Sequence, residues 1–162
     1  MDGFLAFLRS STIDLDEIIA NINQLDAAGD SVLQLAAMTN KKHWMKLFLD
    51  NGADHGVVTR DRRETPLITA CERGHISCVE LLIQYGADIN ATNKNRWNPL
   101  VIASYDGSVS CLELLLRSGA EVNYEDQYGS TSLYWACYRG HTACAELLIR
   151  YGADVNKANQ YL

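Results

Sequence analysis

The sequence predicts an all-α repeat solenoid, one elongated domain spanning residues 1–162. Three observations carry that reading. The stretch TPLITACERGHISCVELLIQYGADIN at 65–90 returns as NPLVIASYDGSVSCLELLLRSGAEVN at 98–123 and as TSLYWACYRGHTACAELLIRYGADVN at 131–156, a period of 33 residues without gaps. A worn copy, SVLQLAAMTNKKHWMKLFLDNGADHG at 31–56, precedes them, with one extra residue before Thr65 that makes its spacing 34. The punctuation repeats too, with a capping side chain opening each unit and a left-handed turn residue closing each of its two segments. A unit of this size cannot bury its own apolar face, so neighbours must cover one another along the stack.

Residues 1–30 read as a shortened N-terminal capping unit. Residues 2–9 (DGFLAFLR) and 13–22 predict two short helices, the second capped by Ser11 or Thr12 with Asp14, Asp16 and Glu17 where the helix dipole favours acids. Four repeats follow at 31–64, 65–97, 98–130 and 131–162, the last with a truncated finger. Each reads as turn, helix, turn, helix and extended finger. Ser31, Thr65, Asn98 and Thr131 cap the first helices, and Pro66 and Pro99 occupy the first helical position, where a missing N–H costs nothing. Asn40, Gly74, Gly107 and Gly140 end the first helices; Gly52, Gly86, Gly119 and Gly152 end the second. The leucine pairs at 81–82, 114–115 and 147–148 must be covered by neighbours. Residues 131–156 lack the polar outer face of a terminal repeat, which predicts either a longer array or self-association through the C-terminal end.

The period, the TPL and GH elements, the paired leucines and the closing GADIN resemble ankyrin repeats over residues 31–156. The resemblance implies helix–turn–helix units joined by β-hairpin-like fingers and a non-catalytic protein-interaction domain. It also implies a concave face built from finger residues before each opening cap and from the two residues before the first turn glycine. Those offsets give Ala27, Ala28, Asp30, Met38 and Thr39 in the first repeat and Asp61, Arg62, Glu64, Glu72 and Arg73 in the second. The third presents Lys94, Asn95, Trp97, Tyr105 and Asp106, and the fourth Gln127, Tyr128, Ser130, Tyr138 and Arg139.

Composition narrows the function classes. No apolar run approaches the roughly 18 residues of a membrane helix, and the N-terminus lacks a basic secretory region, so a cytoplasmic or nuclear protein without membrane insertion is expected. A formal charge of −6 argues against non-specific nucleic-acid binding. Cys78, Cys111 and Cys144 recur every 33 residues at a buried helical position, and Cys71 and Cys137 share the small inner position of the first helix. All five read as reduced core thiols, with no metal site implied. Nucleophile-elbow, zincin, P-loop and dinucleotide fingerprints are absent, so no catalytic residues and no cofactor are expected. His75 and His141, next to turn glycines, are expected to hydrogen-bond between repeats.

Function therefore rests on the surface. Trp97, Tyr105, Tyr128 and Tyr138 are the expected anchors for a peptide or protein partner, since Trp and Tyr with nearby Arg dominate binding hot spots; Arg62, Arg73, Asp106 and Arg139 are expected to tune specificity. Trp97 is expected to be exposed, Trp135 to point into the core, and alanine at Trp97 and Tyr138 to leave folding intact. A recruiting or scaffolding role, such as a ubiquitin-ligase substrate receptor, leads. The alternatives are a ligand-sensing domain whose aromatics cage a methylated lysine or stack on a nucleotide-like ligand, and a structural spacer. Arg63 and Arg96 stand where glycine is expected, and the TRDRRE run of the irregular finger is either a solvated loop or a reader of acidic segments. Asn90, Asn123 and Asn156 resemble asparagines hydroxylated in ankyrin repeats, with hydrogen bonding across the fingers as the structural alternative.

Overall fold

The computed structural model describes residues 15–157. Eight helices form four antiparallel pairs, and a short helix α1 (Leu15–Ala20) precedes them. The pairs are α2 (Val32–Met38) with α3 (Lys42–Asp50), α4 (Pro66–Glu72) with α5 (Ile76–Gln84), α6 (Pro99–Asp106) with α7 (Val109–Arg117), and α8 (Ser132–Arg139) with α9 (Thr142–Arg150). First helices stack on first helices and second on second, which places every finger on one side. The helix expected at 2–9 and the caps Ser11 and Thr12 lie outside the described residues.

Capping chemistry fixes where each pair begins. The side-chain oxygens of Ser31, Thr65, Asn98 and Thr131 accept the backbone N–H groups of Gln34, Ile68, Val101 and Tyr134, at 3.2, 3.3, 2.9 and 3.3 Å. Asn40, Gly74, Gly107 and Gly140 all take positive φ at the end of the first helix. Arg63 and Arg96 do the same at +54° and +57°, matching Gly29 and Gly129, so the finger imposes a left-handed residue whatever the side chain.

The fingers hold no β-ladder among the described residues. Each closes with one backbone bond across its tip: Asp26 to Asp30, Asn93 to Trp97 and Asp126 to Ser130, at 2.9, 3.0 and 3.0 Å. In the second finger the closing pair is Thr59 with Glu64, so the inserted residue lies within that tip.

One apolar core runs from Ile22 to Ala153. Leu82, Leu115 and Leu148 are fully buried, as is the thiol ladder of Cys78, Cys111 and Cys144. Desolvation raises all three thiols above their ordinary range, Cys111 to about 11, which keeps them protonated and inert. Cys71 is buried as expected, but Cys137 is exposed. The same register position is covered by the following helix pair in the earlier repeats, and among the described residues none follows α9. His75 Nδ1 meets the Ala37 carbonyl at 2.7 Å and His141 Nε2 the Tyr105 carbonyl at 3.0 Å, tying each repeat to its predecessor.

Candidate functional site: the concave groove

The fingers and first helices line a groove whose two halves differ in chemistry. Its C-terminal half is an aromatic ridge organised by Asp126. This carboxylate, 4% exposed, accepts both indole N–H groups through Oδ2, from Trp97 at 3.1 Å and from Trp135 at 3.0 Å. Its Oδ1 accepts the backbone N–H groups of Tyr128 and Ser130 at 2.8 and 3.0 Å. One buried carboxylate thus serves four donors and welds the fourth finger to the third finger, through Trp97, and to the first helix that follows it, through Trp135.

The indoles so fixed hold the remaining rings. Trp97 lies 5.0 Å from both Tyr105 and Trp135, and Tyr105 lies 5.5 Å from Trp135. Tyr134 and Tyr138 stack at 6.1 Å, with Tyr138 edge-on to Trp135 at 5.8 Å. Arg139 lies 4.3 Å above the Tyr105 ring and donates to its hydroxyl at 3.2 Å. Tyr138 is the most exposed of these rings, at 68%.

Both tryptophans are half-buried, so Trp97 is less exposed and Trp135 less buried than expected: Trp97 packs against the core and also lines the groove pocket, and Trp135 joins it in the ridge. The positions equivalent to Trp135, namely Leu35, Thr69 and Ile102, are buried because the next repeat covers them. Trp97→Ala would also strip one donor from Asp126, so it is not a clean surface substitution. Glu64 and Ser130, expected on the open face, are buried at 3% and 1%. The Thr59 hydroxyl receives the Glu64 N–H at 3.0 Å, and the Gln34 amide donates to the Glu64 carbonyl, which turns that finger inward.

The N-terminal half of the groove is acidic. Arg62 pairs with Glu64 at 3.1 Å and with Glu72 at 3.0 Å, and Arg73 approaches the second oxygen of Glu72 at 3.8 Å. A pocket of about 130 Å³ opens beside them, bounded by Glu72, Asp106, Asn93, Trp97 and Tyr105. Desolvation, reinforced by the charge of Glu72, holds the carboxyls of both Glu64 and Asp106 above the usual range. Among the described residues no three His, Cys, Asp or Glu side chains are grouped to hold a metal, and no helix is long and apolar enough to cross a membrane.

The groove therefore brings together Trp97, Tyr105, Tyr138, Arg139, Asp106, Arg62 and Arg73, while Tyr128 joins through its backbone bond to Asp126. Asp126 itself was legible only as a position: it stands five residues before its repeat's cap, as Asp26 and Asn93 do, and all three accept N–H groups within their own fingers. The asparagines bridge repeats. Asn23 and Asn123 accept the N–H groups of Asp54 and Asp154 at 2.7 and 2.8 Å, and Asn90 that of Glu121 at 3.2 Å.

Comparison with known proteins agrees with this architecture. The family model described as ankyrin repeats (3 copies) matches residues 7–93 and 90–159. The palmitoyltransferase Hip14 of Drosophila melanogaster is 35% identical over 68 residues, 42% of this chain and 11% of that protein. Ankyrin repeat domain-containing protein 63 of Mus musculus is 43% identical over 54 residues, 33% of this chain and 13% of its own. The ARF GTPase-activating protein Git of Drosophila melanogaster is 32% identical over 88 residues, 54% of this chain and 12% of its own.

Proposed function

The chain belongs to the ankyrin-repeat family, and from that premise we propose that its concave groove docks an extended peptide or protein surface, with the aromatic ridge as anchor. The repeat domain is a non-catalytic interaction module, so its specificity rests on the side chains the scaffold presents. The observation that carries the reading is Tyr138, a largely exposed ring braced by Tyr134 and Trp135, the latter pinned by buried Asp126. A rigid, half-hydrated aromatic loses little conformational freedom when covered, which is how hot-spot residues gain affinity.

Arg62, Arg73, Asp106 and Arg139 are assigned to specificity at the ridge's margins. The matched relatives, in which the shared stretch is 11–13% of the protein, support a recruiting or scaffolding module of a larger protein, of the kind a ubiquitin-ligase substrate receptor uses. Free thiols at all five cysteines accord with a cytoplasmic or nuclear setting. Asn90, Asn123 and Asn156 stand as proposed hydroxylation sites, Asn90 and Asn156 with exposed residues. The aromatic-cage alternative draws no support from the geometry. Trp97, Tyr105 and Trp135 touch one another at 5.0–5.5 Å, leaving no gap for a methylated ammonium, and Arg139 already covers the Tyr105 ring.

Selection of short displayed peptides against the chain tests the proposal. Binders are expected to weaken at least about tenfold on Tyr138→Ala with melting unchanged. Binders indifferent to Tyr138→Ala and to Tyr105→Phe would place recognition elsewhere.

A further inference from the structure

The two pockets of the N-terminal half adjoin, with acidic residues lining both. The second, of about 220 Å³, shares Arg62, Glu64 and Glu72 with the first and adds Asp30 and Asp61. Together they are lined by five carboxylates, at Asp30, Asp61, Glu64, Glu72 and Asp106, against two guanidiniums, Arg62 and Arg73. Both guanidiniums are already engaged: Arg62 bridges Glu64 and Glu72, and Arg73 lies against Glu72. Internal pairing therefore leaves a negative excess facing the groove. Glu72 Oε2 is buried without a hydrogen-bond partner, and Arg73 at 3.8 Å is too distant to supply one.

Resting on the docking role proposed above, we infer that the pocket between Glu72, Asp106 and Trp97 seats an arginine of an extended partner segment whose next apolar residue covers Tyr138. Charge complementarity selects the occupant. A guanidinium carries planar N–H groups that can meet Glu72 and Asp106 together while its face lies along Trp97 and Tyr105, and it is weakly hydrated enough to leave water. The Asn95 side-chain carbonyl in the same wall can take a further donor. Desolvation beside like charges holds Asp30, Glu64 and Asp106 above the ordinary carboxylate range, although Arg139 and His141 act against this at Asp106; a cation arriving there relieves that repulsion.

The stack sets the spacing. First helices pack about 8–10 Å apart and an extended chain advances about 3.3–3.6 Å per residue, so one repeat corresponds to about three residues. The pocket lies between Glu72 and Asp106, and Tyr138 belongs to the repeat after Asp106. The partner segment is thus a basic residue followed or preceded, about three to five residues away, by an aromatic or aliphatic one.

The experiment selects short peptides from two displayed libraries, one complete and one lacking Arg and Lys. Affinities are measured on the wild type, on Tyr138→Ala and on Glu72→Gln/Asp106→Asn, and each arginine of a binder is exchanged for neutral, isosteric citrulline. The expected result is that strong binders come from the complete library and lose at least about tenfold on citrulline exchange, an effect absent in the double variant. Citrulline exchange needs no protein variant, so it decides the matter even if the double variant does not fold. Binders that need Tyr138 but arise equally without basic residues would overturn this inference and leave the docking role standing. Binders that respond to neither set of changes would overturn both.

Discussion

At the residue scale, Asp126 shows how one buried carboxylate can organise a surface. A charge removed from water is costly unless its lone pairs are met, and here four N–H groups meet them. Asp126→Asn retains an acceptor for Tyr128 and Ser130 but turns an amide toward two indole donors. It is expected to cost about 3 kcal/mol and to diminish the near-ultraviolet circular dichroism of Trp97 and Trp135, whereas a merely neutral replacement would leave both unchanged. Glu64 behaves in the opposite sense. Its carboxyl is raised by desolvation, so folding favours the protonated acid: the stabilisation is complete below the unfolded pKa and is lost as pH rises through the folded one. Glu64→Gln should therefore melt no lower than wild type at pH 7 and gain less on acidification; a variant that melts lower at pH 7 would show the Arg62 pair to outweigh the desolvation.

At the scale of the element, the left-handed turn after each first helix does two jobs that can be separated. Gly107 and Gly140 share positive φ, at 72° and 75°, yet their surroundings differ. A Cβ on Gly107 would stand 2.6 Å from the His141 ring that bridges the repeats, while one on Gly140 would meet nothing within 4 Å. Gly140→Ala is expected to cost about 1 kcal/mol from backbone strain alone. Gly107→Ala must also displace His141 from the Tyr105 carbonyl, and denaturant titration should find it less stable than Gly140→Ala by at least about 1 kcal/mol.

Across the whole molecule, each helix pair shields the one before it, and the consequence is visible at the last described pair. Leu133 is nearly covered, but Tyr134, Cys137, Ile149 and Val155 line an open apolar patch, with Ile149 at 50% and Val155 at 63% exposure. A second copy of this chain docking there is the proposed outcome. Sedimentation should show weight-average mass rising with concentration, and Ile149→Glu should suppress the rise; a strict monomer at high concentration would remove the proposal.

What the sequence determined by itself was the repeat: its period, the four helix pairs, their caps, the left-handed turns including Arg63 and Arg96, and the buried thiol ladder. Those features rest on local chemistry, since a cap or a turn residue acts within a few positions of itself and a 33-residue period repeats the instruction. The tertiary structure alone decided how the two tryptophans share the groove. Both are half-buried, Trp97 packs on the core while lining the groove pocket, and Asp126, on the finger between them, receives both indoles. It also decided that Glu64 turns inward and that five carboxylates from three repeats and the capping unit line two adjoining pockets. Such groupings join residues about one repeat apart, where a one-dimensional pattern records the offsets but not the packing that brings the side chains together.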